Sequence, residues 1–235
     1  MSAEDRPAPD SRSAIPDGVA IKCAACKEVI FAREHERSGR ICPHCQHPSP
    51  LSADERIRFI VDPDSFEPIA VAQGVAGTAA IGDLRCAVGA VDADAVAATE
   101  DTAAHVLRAL LQTHMPAALF CAGGVGVSGS AKPDATRLRT HKALHRHGAA
   151  RLPYVLVITD PHAEHGLLTG APMGDIVLAE TPVRHMPAVT QPRQGATAEH
   201  PFVDAHVPRA EMRQELAKLL NFLAQPGDTD GERQD

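Results

Sequence analysis

Four cysteines near the N-terminus constrain this chain more than any other feature. They form two Cys-x-x-Cys pairs, Cys23 with Cys26 and Cys42 with Cys45, separated by fifteen residues. A two-residue spacer lets a tight turn direct both thiolates at one tetrahedral centre, and two such turns supply four ligands. The spacing therefore predicts a zinc ribbon, and a closed four-thiolate site makes the metal structural rather than catalytic. Two disulfides or four free thiols are the alternatives, and disulfides are disfavoured in a chain without an export signal.

Composition and charge exclude several classes of protein. The chain has 235 residues with 44% hydrophobic and 23% charged residues, which indicates a globular protein with one medium domain and a small module. A net charge of -7 and only 3% aromatic residues argue against nucleic-acid binding through bulk charge or base stacking. No apolar run approaches the roughly 18 residues of a membrane span, and the polar first residues do not resemble a signal peptide. We therefore expect a cytoplasmic protein that does not bind membranes.

Charge and hydrophobic patterning divide the chain into five segments. Residues 1–17 and 226–235 are predicted to be loose tails, 18–48 the ribbon, 49–70 a connecting helical segment and 71–225 the main domain. The connecting helix begins at the capping box formed by Ser52 and Glu55.

The main domain alternates short apolar runs with helical patterns, which predicts an α/β fold. Two further cysteines, Cys86 and Cys121, lie in apolar runs and are predicted to be buried thiols rather than nucleophiles. The predicted strands are Val75–Ala80, Leu84–Val91, Ala117–Cys121, Tyr154–Ile158 and Ile176–Ala179. The predicted helices are one around Leu107 that Pro116 closes, one from Ala135 to His147 that Gly148 stops, and a last one that carries Met212 and Leu216.

Several blocks of the sequence resemble one family when they are taken in order. The first includes Ile41-Cys-Pro-His-Cys-Gln-His47 and Leu51-Ser-Ala-Asp-Glu-Arg-Ile57. Later blocks are Leu152–Pro161, Met173–Glu180, Phe202–Asp204 and Arg209–Arg213. Together they resemble the acetyl-CoA carboxylase carboxyltransferase β subunits, from residue 14 to about 224. This chain would be a shortened and divergent member.

The resemblance implies a zinc ribbon followed by a crotonase/ClpP-like spiral of ββα units. It also implies an active site shared with an α-type subunit, with or without a homodimer of this chain, that moves a carboxylate from carboxybiotin to acetyl-CoA. Such chemistry needs backbone N–H donors where the thioester enolate develops negative charge. By resemblance, Gly123 and Gly124 form the first donor turn, directly after a predicted strand. A plain glycine turn without this role is the alternative.

The chain departs from the family where the chemistry would take place. The arginine that follows the first glycine pair in the family is missing after Gly124, and the loop at 92–98 is acidic. At the family's second glycine pair this chain has Glu164 and His165, and only Gly166 remains. Glu164 and His165 are either a new general acid/base pair or solvated turn residues.

A basic segment follows the first glycine turn. It carries Arg137 and Arg139, which we expect to bind the phosphates of CoA, although a solvated or partner-facing surface is the alternative.

Four functions therefore compete at this point. The first is a carboxyltransferase β-type subunit acting on an acyl thioester, and the second is an accessory paralogue that has lost turnover. The third is a biotin-independent decarboxylase or lyase that uses Glu164 or His165. The fourth, nucleic-acid binding through the ribbon, is disfavoured because glutamates interleave with its basic residues.

Overall fold

The computed structural model describes residues 18–92, 101–122, 135–159, 174–181 and 203–224. The strands are β1 (Ala20–Lys22), β2 (Val29–Phe31), β3 (Glu67–Pro68), β4 (Val75–Ile81), β5 (Leu84–Val91), β6 (Ala117–Ala122), β7 (Tyr154–Thr159), β8 (Ile176–Thr181) and β9 (Ala205–Pro208). The helices are α1 (Ala32–Arg37), α2 (Ala53–Ile60), α3 (Asp101–Leu111), α4 (Ala135–Ala149) and α5 (Arg209–Ala224).

Seven strands form one sheet in the order β3-β4-β5-β6-β7-β8-β9. The pairs from β3 to β5 are antiparallel, and every pair from β5 to β9 is parallel. Successive parallel strands require crossover connections, and α3 and α4 lie in two of them. The predicted α/β class is thus confirmed.

Helices cover both faces of the sheet, and the alternation along β6 shows which residues face which layer. Leu119 packs in the cluster that contains α3, whereas Phe120 packs in the cluster that contains α2 and α5. All six residues of β7 are buried. Burial on both faces explains why β6 and β7 have continuous apolar sequences rather than alternating ones.

The Asp62 carboxylate connects the β4–β5 hairpin to α5. Gly82 and Asp83 both have positive φ values, 57° and 69°, as a tight hairpin turn requires. The Asp62 carboxylate accepts hydrogen bonds from their backbone N–H groups at 3.1 and 3.0 Å and pairs with Arg213 of α5. The hydrogen bond from the Asp83 N–H lowers the pKa of Asp62. Desolvation opposes this shift, and the Gly82 N–H and Arg213 reinforce it.

A buried ion-pair triad joins the ribbon to the sheet. Glu180 at the end of β8 accepts hydrogen bonds from Arg56 of α2 and Arg209 of α5, each at 2.6 Å. The three side chains are only 2–3% exposed. Arg209 also donates from Nη1 to the carbonyl oxygens of Gly39, at 3.0 Å, and Ser49, at 2.6 Å. The triad therefore contacts α2, α5, β8 and the backbone that flanks the second cysteine pair.

The predicted elements are present, with differences at their ends. The capping box of α2 is confirmed, since the Ser52 side chain accepts from the Glu55 N–H and the Glu55 side chain accepts from the Ser52 N–H. The predicted stop at Gly148 is wrong, because α4 continues to Ala149 and Arg151 then adopts a positive φ of 55°. Gly148 is exposed, and one glycine near a helix end costs only about 1 kcal/mol, so the helix continues through it. The edge strands β3 and β9 are not anticipated by the apolar pattern, because both are short and mostly exposed.

The remaining predictions on chain organisation fall partly outside the described residues. The two tails and most of the acidic loop at 92–98 lie outside them. The buried-thiol prediction is confirmed, since Cys86 and Cys121 are 0% and 5% exposed. Burial raises the pKa of both thiols to about 12, so neither forms a thiolate readily at neutral pH.

Glu180→Gln should lower the free energy of unfolding by about 3–5 kcal/mol, because it leaves two buried arginines without their carboxylate. Urea denaturation followed by circular dichroism measures this loss. Glu67→Gln is the control, because it removes an exposed carboxylate that lies 3.3 Å from Arg85. The control should change stability by less than about 1 kcal/mol. Equal losses in the two variants would contradict the role of the triad.

Asp62→Asn should lower stability at pH 7 by about 1–2 kcal/mol, because the amide offers one acceptor oxygen where two are used. The folded-state pKa of Asp62 is depressed, so its contribution is present above the unfolded-state pKa, about 3.9. The difference from the wild type should therefore shrink as the pH falls from 6 to 3. Denaturation midpoints at several pH values measure it, with Glu36→Gln, at an exposed position of α1, as the control.

Candidate functional site

The two cysteine pairs form turns with the same backbone hydrogen bonds. In the first turn, Cys23 N–H donates to Glu28 O at 2.9 Å and Lys27 N–H donates to Cys23 O at 3.0 Å. In the second, Cys42 N–H donates to His47 O at 2.9 Å and Gln46 N–H donates to Cys42 O at 2.8 Å. Lys27 and Gln46, each next after a Cys-x-x-Cys, have positive φ values of 65° and 60°. The spacing thus produces two equivalent turns, as expected.

The four sulfurs converge on one point. Their Sγ atoms all lie within 4.8 Å of one another. The Cys23–Cys45 and Cys26–Cys42 Sγ distances are 3.6 and 3.7 Å, and all four are free thiols rather than disulfides. Tetrahedral Zn²⁺ with bonds of about 2.3 Å places its sulfur ligands about 3.8 Å apart. The residues present therefore fit a four-thiolate zinc site.

Electrostatics of the cluster also favour a cation. Burial raises the pKa of Cys23, but N–H groups of Cys26 and Ala25 stabilise its thiolate, and the net pKa falls to about 7. Burial raises the pKa of Cys45 to about 12, and its cysteine neighbours add to this rise. Four adjacent thiols cannot all ionise unless a positive charge lies between them, which a divalent metal supplies.

The strands that precede the predicted catalytic turns end side by side. β6 and β7 are parallel, with Ala122 opposite Thr159 at their carboxyl ends. The chain continues from these two positions toward Gly123 and Gly124 on one side, and toward Glu164, His165 and Gly166 on the other. All five residues lie outside the described residues. Their catalytic roles remain predictions.

A cleft lies between α3 and α4 on one side of the sheet. It has a volume of about 730 Å³ and also borders residues 70–72. Arg139, selected from the sequence, lines it. The side chain of Arg137 lies outside the described residues, although its backbone is part of α4. The structure adds Arg108, Lys142 and Arg146 to the cleft wall, which the sequence analysis did not select.

The chain is similar to known proteins along most of its length. No family model matches the chain. The acetyl-coenzyme A carboxylase carboxyl transferase subunit beta of Protochlamydia amoebophila is 25% identical over 276 aligned positions, covering 95% of this chain and 90% of that protein. The subunit of the same name from Carboxydothermus hydrogenoformans is 26% identical, covering 90% and 92%. The chain is a shortened, divergent relative of these β subunits.

The match to β subunits spans the ribbon and the sheet alike, because it covers nine-tenths of the chain or more. It agrees with the expected order of a four-cysteine ribbon followed by an α/β core. Among solved structures, the Pseudomonas malonate decarboxylase MdcD-MdcE hetero-dimer aligns with a TM-score of 0.43 and 15% identity, covering 73% of this chain and 86% of that one.

The described part of this β-subunit relative contains no helix both long enough and apolar enough to cross a membrane.

Two features that bear on function had no local sequence signal. Arg108 and Arg146 line the same cleft only because α3 packs beside α4. Glu180 accepts a hydrogen bond from Arg56, which lies 124 residues away in the chain. A search for isolated basic residues on apolar-patterned helices would have found Arg108, but not its neighbours across the cleft.

Proposed function

We propose that this chain is a carboxyltransferase β-type subunit that acts on an acyl-CoA thioester together with an α-type subunit. The observation that supports it most strongly is the similarity to acetyl-CoA carboxylase carboxyl transferase β subunits along nine-tenths of the chain or more. The parallel pairing of β6 with β7 supports it, because the chain continues toward each predicted donor turn from the same end of these neighbouring strands.

The chemistry proposed for this edge is carboxyl transfer through an enolate. The α-carbon of acetyl-CoA loses a proton, the N–CO₂ bond of carboxybiotin breaks, and a C–C bond forms to give malonyl-CoA. The released proton ends on the biotin ureido group. Backbone N–H groups at Gly123, Gly124 and Gly166 would stabilise the enolate oxygen without a charged side chain.

Zinc would hold the ribbon rather than take part in this chemistry. Cys23, Cys26, Cys42 and Cys45 would fill all four positions of its coordination sphere, so no position is open for substrate. The metal would act by fixing the turns whose flanking backbone Arg209 binds.

The sequence departures favour a second candidate, an accessory paralogue without turnover. Glu164 and His165 stand where the family has a glycine pair, and a carboxylate in an oxyanion site would oppose the enolate. The third candidate, a biotin-independent decarboxylase or lyase, would use the same two residues as acid and base.

The purified protein should contain about one zinc per chain, measured by plasma mass spectrometry. Cys42→Ser should lose most of the metal and unfold at lower temperature, because three thiolates bind zinc more weakly than four and the ribbon loses its crosslink. Cys86→Ala, which removes a buried thiol in the core, should retain a full equivalent of zinc. Zinc loss in neither variant, or in both, would contradict the four-cysteine site.

Mixed with the α-type subunit and carboxybiotin carrier of its host, the chain should convert acetyl-CoA into malonyl-CoA, detected by mass spectrometry. Gly124→Pro removes one donor N–H and should lower kcat by about 10²–10³-fold. Glu164→Gln, with its charge removed, should retain or raise activity. A melting curve for each variant shows whether the fold survives.

Other outcomes of this experiment would support the second or third candidate function. Co-purification with the α-type chain but no turnover supports the accessory paralogue. Biotin-free decarboxylation that Glu164→Gln or His165→Ala abolishes supports the lyase. Either result would overturn the proposed carboxyl transfer.

A further inference from the structure

The cleft between α3 and α4 carries positive charge that the described residues do not neutralise. Four cationic side chains line it: Arg108 from α3, and Arg139, Lys142 and Arg146 from α4. No carboxylate occurs among the described residues that line it, and α4 contains no acidic residue along its length. Within the described part of the chain, none of the four cations forms an ion pair. The cleft is therefore suited to an anionic occupant.

Helix dipoles account for only part of this charge. Arg108 and Arg146 lie in the last turns of their helices, where a cation interacts favourably with the partial negative charge of the helix end. Arg139 and Lys142 lie further from that end, and the dipole effect falls off within one turn. Like charges three or four residues apart on a helix repel each other, so a bound anion would relieve this repulsion.

An acidic segment follows the last helix. Residues 225–235, which lie outside the described residues, read Gln-Pro-Gly-Asp-Thr-Asp-Gly-Glu-Arg-Gln-Asp and contain four carboxylates and one arginine. They include no large apolar side chain, and their proline and two glycines are unfavourable in a helix. Three of the carboxylates, at Asp228, Asp230 and Glu232, occupy every second position. This acidic segment is therefore suited to binding through charge in an extended conformation.

The acidic segment starts at the edge of the sheet where α3 and α4 end. Helix α5 begins after β9, where Arg209 contacts Glu180 of β8 at 2.6 Å. It then crosses the sheet, and Ala217 lies against Gly82 in the turn that precedes β5. Helices α3 and α4 end before β6 and β7 begin. All three helices therefore end at the edge where the parallel strands start, with α5 on the opposite face from α3 and α4.

The lengths and spacings of the two partners agree. Packed layers lie about 10 Å apart, so passing from the α5 layer around the sheet edge to the α3–α4 layer takes about 20 Å. The acidic segment can span up to about 36 Å when extended. In an extended chain every second side chain repeats at about 6.6 Å, and Lys142 and Arg146 lie about 6 Å apart along α4. Successive carboxylates can therefore meet successive cations.

A buried nitrogen of the cleft wall favours a peptide as the occupant. His147 is 4% exposed, and its Nε2 lies 3.4 Å from the carbonyl oxygen of Pro153. Burial lowers the pKa of His147, so the ring is neutral at pH 7 with its proton on Nε2. Its Nδ1 is then an acceptor, and it has no hydrogen-bond partner among the described residues. A peptide brings N–H donors that could satisfy this atom, whereas a carboxylate or sulfate ion brings none.

We propose that the acidic segment binds in this cleft of its own chain, with its carboxylates on Arg108, Lys142 and Arg146. A short tether gives a bound segment a millimolar effective concentration, which compensates for the small contribution of each exposed ion pair. While it is bound, the segment occupies the cleft, so any other anion must displace it to enter. The proposal involves no carboxyl transfer and does not rest on the proposed function.

The other acidic stretch of the chain is less well placed for this role. Residues 92–101 also contain four carboxylates, but they connect the end of β5 to the start of α3. Both of those positions lie at the carboxyl ends of the parallel strands, whereas Arg108 and Arg146 lie in the last turns of α3 and α4, near the opposite edge. Residues 225–235 are therefore the favoured occupant.

Carbodiimide crosslinking of the full chain tests this contact, because the reagent joins a carboxylate directly to an amine that touches it. Lys142 is the only lysine among the described residues that line the cleft. We expect an amide between Asp230 or Glu232 and Lys142, identified by peptide mass spectrometry. The exposed Glu215–Lys218 pair, at 2.7 Å, is the internal reference for the reagent. Raising NaCl from about 50 to about 500 mM should lower the yield at Lys142 at least about threefold, since salt screens exposed ion pairs.

A pair of matched variants locates the contact. Arg139→Gln/Arg146→Gln keeps Lys142 but removes the cations on either side of it, and should lower the yield at least about threefold. The control Arg33→Gln/Arg37→Gln removes the same two charges from exposed positions of α1 and should leave the yield within about 1.5-fold of the wild type. Circular dichroism shows whether each variant is folded. If the cleft variant does not fold, the salt series on the wild type decides.

Mixing ¹⁵N-labelled with unlabelled chains shows whether the crosslink joins one copy or two. A salt-sensitive link within one chain, weakened in the cleft variant and retained in the control, supports the proposal. It is overturned if the reference pair reacts and Lys142 does not, if the cleft variant and the control give equal yields, or if Lys142 joins residues 92–101 instead. Links found only between labelled and unlabelled chains would place the segment of a second copy in the cleft and also overturn it.

Discussion

The carboxylate of Glu180, held between Arg56 and Arg209, is the interaction on which the rest of this structure depends. Taking three charges out of water costs several kcal/mol per ion, and only close geometry with further hydrogen bonds compensates for it. The spare donors of Arg209 supply those bonds by reaching the carbonyls of Gly39 and Ser49. One buried network thus connects the sheet, both helices of one layer and the backbone beside the second cysteine pair.

This connection gives the cysteine cluster a positional role. The ribbon has a very small apolar core, comprising Ile30 and the cysteines themselves, so it cannot be held together by apolar burial alone. A metal bound by the four thiolates would fix the two turns, and Arg209 would transmit that order to β8. The proposed zinc would then stabilise the end of β8 that carries Glu180.

The helices on the two faces of the sheet differ in whether their charged side chains form ion pairs. On one face, Arg56 of α2 and Arg209 and Arg213 of α5 are paired with carboxylates of the protein itself. Helices α3 and α4 pack on the opposite face through apolar contacts, and the cations between them stay unneutralised within the described residues. The charge on this face is therefore not used in ion pairs between the described residues.

Features that depend on neighbouring residues can be predicted from the sequence. The Cys-x-x-Cys turns, the Ser52 capping box and the Gly82–Asp83 hairpin follow from short spacings and backbone preferences. The predicted end of α4 at Gly148 is wrong because a single exposed glycine costs a helix too little to end it. Packing, in contrast, sets the ion pair of Glu180 with Arg56 and brings Arg108 to the same cleft as the cations of α4. Those contacts join segments far apart in the chain, and no local pattern specifies which buried charge or helix face another will meet.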